Sequence, residues 1–253
     1  MILNSFDLQG KVAIVTGCDT GLGQGMALGL AEAGCSIVGV NYTAPEETIE
    51  KMKAAGHKFL DVRANLLKQD EIPAIIDAAI TEFGKVDILV NNAGIIRRED
   101  AIEFSEQNWD DVMNINSKTV FFMSQAVAKQ FISQGNGGKI INIASMLSFQ
   151  GGVRVPSYTA SKSAVMGITR AMANEWAKHG INVNAIAPGY MATNNTAALL
   201  ADEERSKAIL ERIPADRWGT PADVAGPCVF LASDAASYIN GYTVAVDGGW
   251  LAR

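Results

Sequence analysis

Histidine is nearly missing from this chain. Of 253 residues only His57 and His179 are histidine, and neither stands close to a second histidine or a cysteine pair. Zinc sites draw on His and Cys at short spacings, so no metal is expected. The same scarcity, with no Gly-x-Ser-x-Gly run, argues against a serine hydrolase. Cys18, Cys35 and Cys228 lie far apart with no Cys-x-x-Cys, and Met1–Asp7 lacks the basic-then-apolar order of a secretory leader. Free thiols in a reducing, cytoplasmic setting are the simplest expectation. No apolar stretch approaches the ~18 residues of a membrane span, so no membrane partner is expected. Basic charge is also short: 21 Lys and Arg against 27 Asp and Glu, a net charge of −6. Nucleic-acid binding needs a basic patch, so no nucleic-acid partner is expected. An anionic small ligand is not excluded, because a few arginines gathered in one place outweigh a mild global charge.

What the chain has is a 48% apolar composition arranged as short β-branched runs between longer amphipathic stretches. The runs are Val12–Thr16, Ser36–Val40, Lys58–Val62, Val86–Val90, Lys139–Ala144, Asn182–Ala187 and Thr243–Val246. Helical patterns cover Leu22–Ala33, Pro45–Ala55, Gln69–Phe83, Trp109–Gln134, Ser157–His179, Thr196–Arg212 and Pro221–Ala232. Strands alternating with helices predict an α/β chain: one doubly wound, Rossmann-like domain over residues 1–253, with a seven-stranded parallel sheet and helices on both faces. The longest stretch without a clear strand, about 188–220, follows a strand end, where such segments cover binding sites. Its charges, Asp202 to Glu204 with Arg205 and Lys207, read as a solvated helix face.

Two local patterns carry chemistry. The first strand runs into Gly17-Cys-Asp19-Thr-Gly21-Leu22-Gly23 and then a helix. Glycines let backbone approach a pyrophosphate, and the helix N-terminus offers free N–H groups and a positive dipole. Tyr158 and Lys162 stand four apart at the head of a helical pattern, so they share a face. A nearby ammonium is expected to lower the phenol's pKa from roughly 10, giving a group able to exchange a proton near neutral pH.

These two patterns recur in order with Asn91-Asn92-Ala93-Gly94 after the fourth strand, Ser145 after the fifth, Pro188-Gly189 after the sixth and Val246-Asp-Gly-Gly249 near the end. Over essentially its whole length the chain resembles the short-chain dehydrogenase/reductase family. The resemblance implies a nicotinamide cofactor and a catalytic set of Asn116, Ser145, Tyr158 and Lys162. Tyr158 would be general acid or base, Lys162 would tune it and hold the nicotinamide ribose, Ser145 would hydrogen-bond the reacting oxygen, and Asn116 would fix a relay water. It further implies cofactor contacts at Gly17, Asp19, Gly21, Leu22, Gly23, Asn41, Asn65, Leu66, Asn92, Ala93, Gly94, Tyr158, Lys162, Pro188, Gly189, Met191 and Thr193. Asn65 replaces the family's usual Asp at the adenine. At Val40-Asn41-Tyr42 no Lys or Arg is present to neutralise a 2′-phosphate, and Asp19 would repel one, so NAD is the expected cofactor.

The substrate pocket is expected to follow Gly94, Ser145 and Pro188. Arg97, Arg98, Met146, Gln150, Arg154 and Tyr190 stand there, with Ser145. Arginine grips carboxylates in a bidentate fork, although each of these is equally a partner for surface acids such as Glu99 and Asp100. The runs Ile96–Asp100, Ala144–Gly151 and Ala187–Asn195 look like those of sugar-acid dehydrogenases within the family, implying a sugar acid of polyuronate breakdown as substrate. The alternatives on the same fold are a dehydrogenase of an aldonic acid such as gluconate, or an acyl-carrier reductase; a more distant one is a non-catalytic dinucleotide sensor. The resemblance also suggests a homotetramer, for which Ala160, Ala164 and Gly167 would permit close helix approach; ordinary packing on the sheet explains them equally.

Overall fold

Val12-Ala-Ile-Val-Thr16 is buried at every position, as a strand covered on both faces must be. It forms β1, the first of seven strands in a computed structural model that describes residues 1–253. The others are β2 (Ser36–Asn41), β3 (Phe59–Arg63), β4 (Ile88–Asn91), β5 (Gly138–Ile143), β6 (Ile181–Pro188) and β7 (Thr243–Val246). All pairings are parallel, in the order β3-β2-β1-β4-β5-β6-β7. The chain winds outward one way from β1 and the other way from β4. That reversal opens a crevice at the carboxyl ends of the two strands, where open α/β sheets bind ligands.

Helices cover both faces. They are α1 (Gly21–Glu32), α2 (Glu46–Ala54), α3 (Ile72–Phe83), α4 (Glu106–Met113), α5 (Val120–Gln134), α6 (Pro156–Trp176), α7 (Ala197–Ala201), α8 (Glu203–Arg212) and α9 (Pro221–Ala232). On one face Met26, Leu30, Ile37 and Ile88 pack with Val224 and Leu231 of α9. On the other, Ile14, Ile75, Leu89, Val127 and Phe131 form a second core. α1 lies so close to α9 that a Cβ at Gly25 would meet the Pro221 carbonyl oxygen at 2.7 Å. Cys18, Cys35 and Cys228 are unpaired and buried. Burial pushes the Cys18 and Cys35 thiols up to about 12 and the Cys228 thiol upward as well. No helix is long and apolar enough to cross a membrane.

Two expected helices are interrupted. The Trp109–Gln134 pattern divides into α4 and α5 around one π-helical turn, Asn114–Thr119. The Thr196–Arg212 pattern breaks at Asp202, whose backbone is extended and whose carboxylate accepts the Arg205 N–H at 3.0 Å. Period alone does not reveal a residue that leaves the helix to cap the next one. A separate small core holds this region down: Met146, Ile209, Ile213 and Trp250, with Tyr190 and Trp218 packed against it.

Candidate active site

The turn after β1 is built for close approach. Gly17 and Gly21 have φ of +63° and +58°, a region costly for residues with a Cβ. A Cβ at Gly23 would lie 2.0 Å from the Gly17 carbonyl oxygen. Asn92 staples the turn from the end of β4, its Nδ2 donating to the carbonyls of Thr16 (3.0 Å) and Gly17 (2.7 Å). The Ala93 N–H donates to Thr16 Oγ1 at 3.0 Å. α1 begins at Gly21 with no acidic residue in its first turn and no side-chain cap. Its first N–H groups and dipole are thus left for an anion. Residues present therefore fit a dinucleotide pyrophosphate.

At the adenosine end the side chains serve the protein first. Asn41, expected at a ribose hydroxyl, is buried and its Oδ1 accepts the Cys18 N–H at 2.9 Å; it braces the glycine turn. Asp19 accepts from Thr43 Oγ1 at 2.8 Å. Asn65 turns its Oδ1 back to the Leu67 N–H, 3.1 Å, and the Leu66 carbonyl accepts from Thr119 Oγ1 at 2.6 Å. A cation that sequence reading passed over stands here: Arg63, paired with Asn41 across β2 and β3, donates to the Tyr42 carbonyl and lies 4.0 Å from Asp61. Register reveals it, since it lies 22 residues from Asn41 in sequence.

The reacting end brings together four side chains from three elements. Ser145 follows β5 and caps a short turn, its Oγ accepting the Leu147 N–H at 3.1 Å. Tyr158 and Lys162 are one turn apart on α6, with Nζ 5.6 Å from the phenol ring centroid. Lys162 is buried and donates to the Ile143 carbonyl at 2.6 Å. Asn116 sits fully buried in the π-helical turn, a feature frequent at functional sites. It accepts the Ile95 N–H (2.9 Å) and donates to the Ile95 carbonyl (2.9 Å) and to Ser161 Oγ (3.1 Å). Ser161 in turn donates to the Tyr158 carbonyl at 2.8 Å.

Burial lowers the Lys162 ammonium to about 8. It also raises the Tyr158 phenol above its ordinary value, while Ser145 and the Arg98 charge pull the other way. The net direction for Tyr158 is upward, where the Tyr–Lys spacing predicted downward. Desolvation of the phenolate outweighs its neighbours.

A cleft of about 490 Å³ joins these parts. Its lining includes Gly21, Leu22, Gly23, Asn92, Gly94, Ser145, Tyr158, Lys162, Pro188, Gly189, Met191 and Thr193. Thr193 reaches the glycine turn, its Cγ2 3.7 Å from the position of a Cβ at Gly21. Of the expected substrate residues, Arg98, Met146, Gln150, Arg154 and Tyr190 line the cleft. Arg97 does not; its Nη2 lies 3.9 Å from Asp111. Arg154 has a φ of +64° and an ion pair of 2.8 Å with Asp100. Tyr190 meets Trp250 edge to face at 4.8 Å, and Trp250 Nε1 donates to Gln150 Oε1 at 3.2 Å. Arg205, Arg212 and Trp250 also line the cleft. The sequence reading left Arg205 on a solvated helix face and gave Arg212 and Trp250 no role, because α8 folds back over the site from 45 residues or more beyond Tyr158 and Trp250 arrives from the turn after β7. No group of His, Cys, Asp and Glu suited to a metal occurs.

A family model described as enoyl-(acyl carrier protein) reductase matches residues 17–251. The chain is 75% identical to the 2-dehydro-3-deoxy-D-gluconate 5-dehydrogenase of Dickeya dadantii and 74% identical to that of Escherichia coli, each over 253 residues and the full length of both chains. A solved Agrobacterium tumefaciens structure, provisionally described as a 2-deoxy-D-gluconate 3-dehydrogenase with bound NADP, shares 54% identity. It superposes with a TM-score of 0.94 over 99% of this chain and 100% of its own. With the glycine turn, the Asn116–Ser145–Tyr158–Lys162 set and this likeness along its whole length, the chain belongs to the short-chain dehydrogenase/reductase family.

Proposed function

We propose that this enzyme interconverts 2-dehydro-3-deoxy-D-gluconate and 3-deoxy-D-glycero-2,5-hexodiulosonate with NAD(H). The observation that carries the reading is the charge of the cleft. Arg98, Arg154, Lys162, Arg205 and Arg212 line it, and no aspartate or glutamate does, in a protein of net charge −6. A cavity at the opposite end of the sheet mixes Lys11 and Lys139 with Asp7, Asp87 and Asp234, so the single sign is a property of this site. A cationic cleft suits a carboxylate substrate and a pyrophosphate. It suits an acyl chain poorly, which disfavours the acyl-carrier reading. The names of the 74% and 75% identical relatives support the same substrate.

In ketone reduction Tyr158 donates the proton to the nascent alkoxide, and in alcohol oxidation it takes the proton back. Ser145 holds the reacting oxygen, where negative charge grows, by a hydrogen bond. Lys162 places a positive charge beside the phenol and favours its ionised form. Asn116 fixes Ile95 and, through Ser161, the backbone of Tyr158, which aligns the two walls of the cleft. The glycine turn and the N-terminus of α1 would hold the pyrophosphate of a nicotinamide cofactor, which would supply or accept the hydride.

Asp19 and Asp61 near the end of β2 support NAD over NADP, because both oppose a 2′-phosphate. Segment 188–220 serves as the substrate cover. The exposed Phe122 and Ile132 of α5, with open space beside Gly167 of α6, support a homotetramer formed through these helices. The unpaired thiols support the cytoplasm.

The test is NADH oxidation followed at 340 nm with 3-deoxy-D-glycero-2,5-hexodiulosonate, 5-ketogluconate and a 3-oxoacyl thioester. The highest kcat/KM is expected for the first. A higher value for either competitor overturns the assignment.

A further inference from the structure

Five cations line the cleft, and four already have work. Lys162 donates to the Ile143 carbonyl, 2.6 Å. Arg154 is neutralised by Asp100. Arg98 donates to the Asn195 carbonyl at 3.2 Å. Arg212 stands over the Trp250 ring, its Cζ 4.0 Å from the centroid, and is held there by cation–π attraction. Arg205 is the fifth. Its guanidinium meets no carboxylate within ion-pair distance, and only its backbone N–H is bonded, to Asp202. Arg205 is exposed to solvent and lines the same cleft as Tyr190, and its charge acts to lower the pKa of that phenol against the upward pull of burial.

Helix physics does not account for an arginine there. Arg205 stands in the first turn of α8, three residues after the cap, at the end where the helix dipole favours anions and opposes a cation. Such a conflict between local preference and sequence is expected at functional positions. α8 is joined to the body of the protein by the small core of Met146, Ile209, Ile213 and Trp250. Met146 in turn follows Ser145, so α8 and the catalytic loop share one packing unit.

We infer that Arg205 is the specificity-determining residue that binds the substrate carboxylate, and that this ion pair draws α8 over the reacting carbonyl. The inference rests on the sugar-acid reading above and adds the residue and the element that enforce it. A carboxylate met by a free guanidinium fork gains two charge-assisted hydrogen bonds. A neutral ketone of similar size gains neither and leaves the cover open. Acids are thereby preferred over neutral ketones, and only a bound acid completes the water-excluded site.

The test compares wild type, Arg205→Met, Arg205→Lys and Lys207→Met. Lys207 is the control, exposed on the same helix and 3.9 Å from Glu211. The readout is the ratio of kcat/KM for the sugar acid to that for an uncharged ketone of the same length. NADH affinity, by fluorescence titration, shows that each variant is folded. In Arg205→Met the ratio is expected to fall about ten- to hundredfold, through KM for the acid. Lysine should restore part of the loss, and Lys207→Met should keep the wild-type ratio. A wild-type enzyme that does not turn over the sugar acid sinks the functional reading. If the wild type does turn it over and Arg205→Met keeps its ratio, the role assigned to Arg205 is wrong. A fall of the same size in Lys207→Met would also refute it, by showing a general field effect.

Discussion

Replacing Asn116 by leucine tests how the two walls of the site are joined. The side chains have the same number of heavy atoms and the same branching, so the change removes hydrogen bonds while roughly keeping the shape, the leucine methyls being somewhat bulkier. Three go: the acceptor for the Ile95 N–H at 2.9 Å, the donor to the Ile95 carbonyl at 2.9 Å and the donor to Ser161 at 3.1 Å. Ser161 keeps its bond to the Tyr158 carbonyl, so its loss is minor. The two backbone groups of Ile95 lose their side-chain partner in a half-buried position. An orphaned buried group costs about 1–3 kcal/mol; partial access to water puts the pair near the lower end, about 3 kcal/mol together. For a chain of this size each kcal/mol moves the melting point by about 2–4 °C, so a drop of roughly 6–12 °C is expected by circular dichroism. Because Gly94, Ile95 and Ile96 line the cleft, NADH affinity should weaken as well. A melting point within roughly 2 °C of wild type would show that Asn116 does not tie the wall to α6, and that its part in the site lies elsewhere.

Tyr158→Phe should lose most turnover while NADH titration stays near wild type, since the ring remains and only the proton donor goes; retained activity would refute the mechanism. Burial sets the Lys162 ammonium to about 8, so kcat/KM for ketone reduction should fall as pH rises through that value, and a pH–rate profile flat to pH 10 would contradict it. The folded pKa lies below the unfolded one, so burying this lysine costs stability fully below pH 8, and the cost fades as pH rises toward about 10.5. NAD(H) should give a higher kcat/KM than NADP(H), and Arg63→Ala should widen the gap, because Arg63 is the cation nearest the end of β2; a wild-type preference for NADPH would show that Arg63 outweighs Asp19 and Asp61.

The seven strands were legible because each is a short β-branched run between helical patterns, and a parallel sheet leaves no other reading. The glycine turn and the Tyr158–Lys162 pair were legible because each is local: a tight turn and one helical turn fix the geometry. Asn41 shows the limit. Its position at the end of β2 was correctly read, yet its amide is spent on the Cys18 N–H, a contact 23 residues away in sequence. Arg63 and Arg212 were passed over, and Arg205 was read as part of a solvated helix face, for the same reason, since strand register and the fold-back of α8 bring them to the site. The pattern over Thr196–Arg212 is helical throughout, and the break at Asp202 comes from a cap that hydropathy does not record.

The buried thiols have a practical consequence for watching α8. Maleimide reacts with accessible thiolate, and Cys18, Cys35 and Cys228 offer neither access nor ionisation near neutral pH. The protein is in effect cysteine-free to labelling reagents while folded. A cysteine introduced at the exposed Lys207 would therefore carry a fluorophore alone, with no native residue to remove. Its emission would report whether α8 moves as acid or neutral ligands arrive.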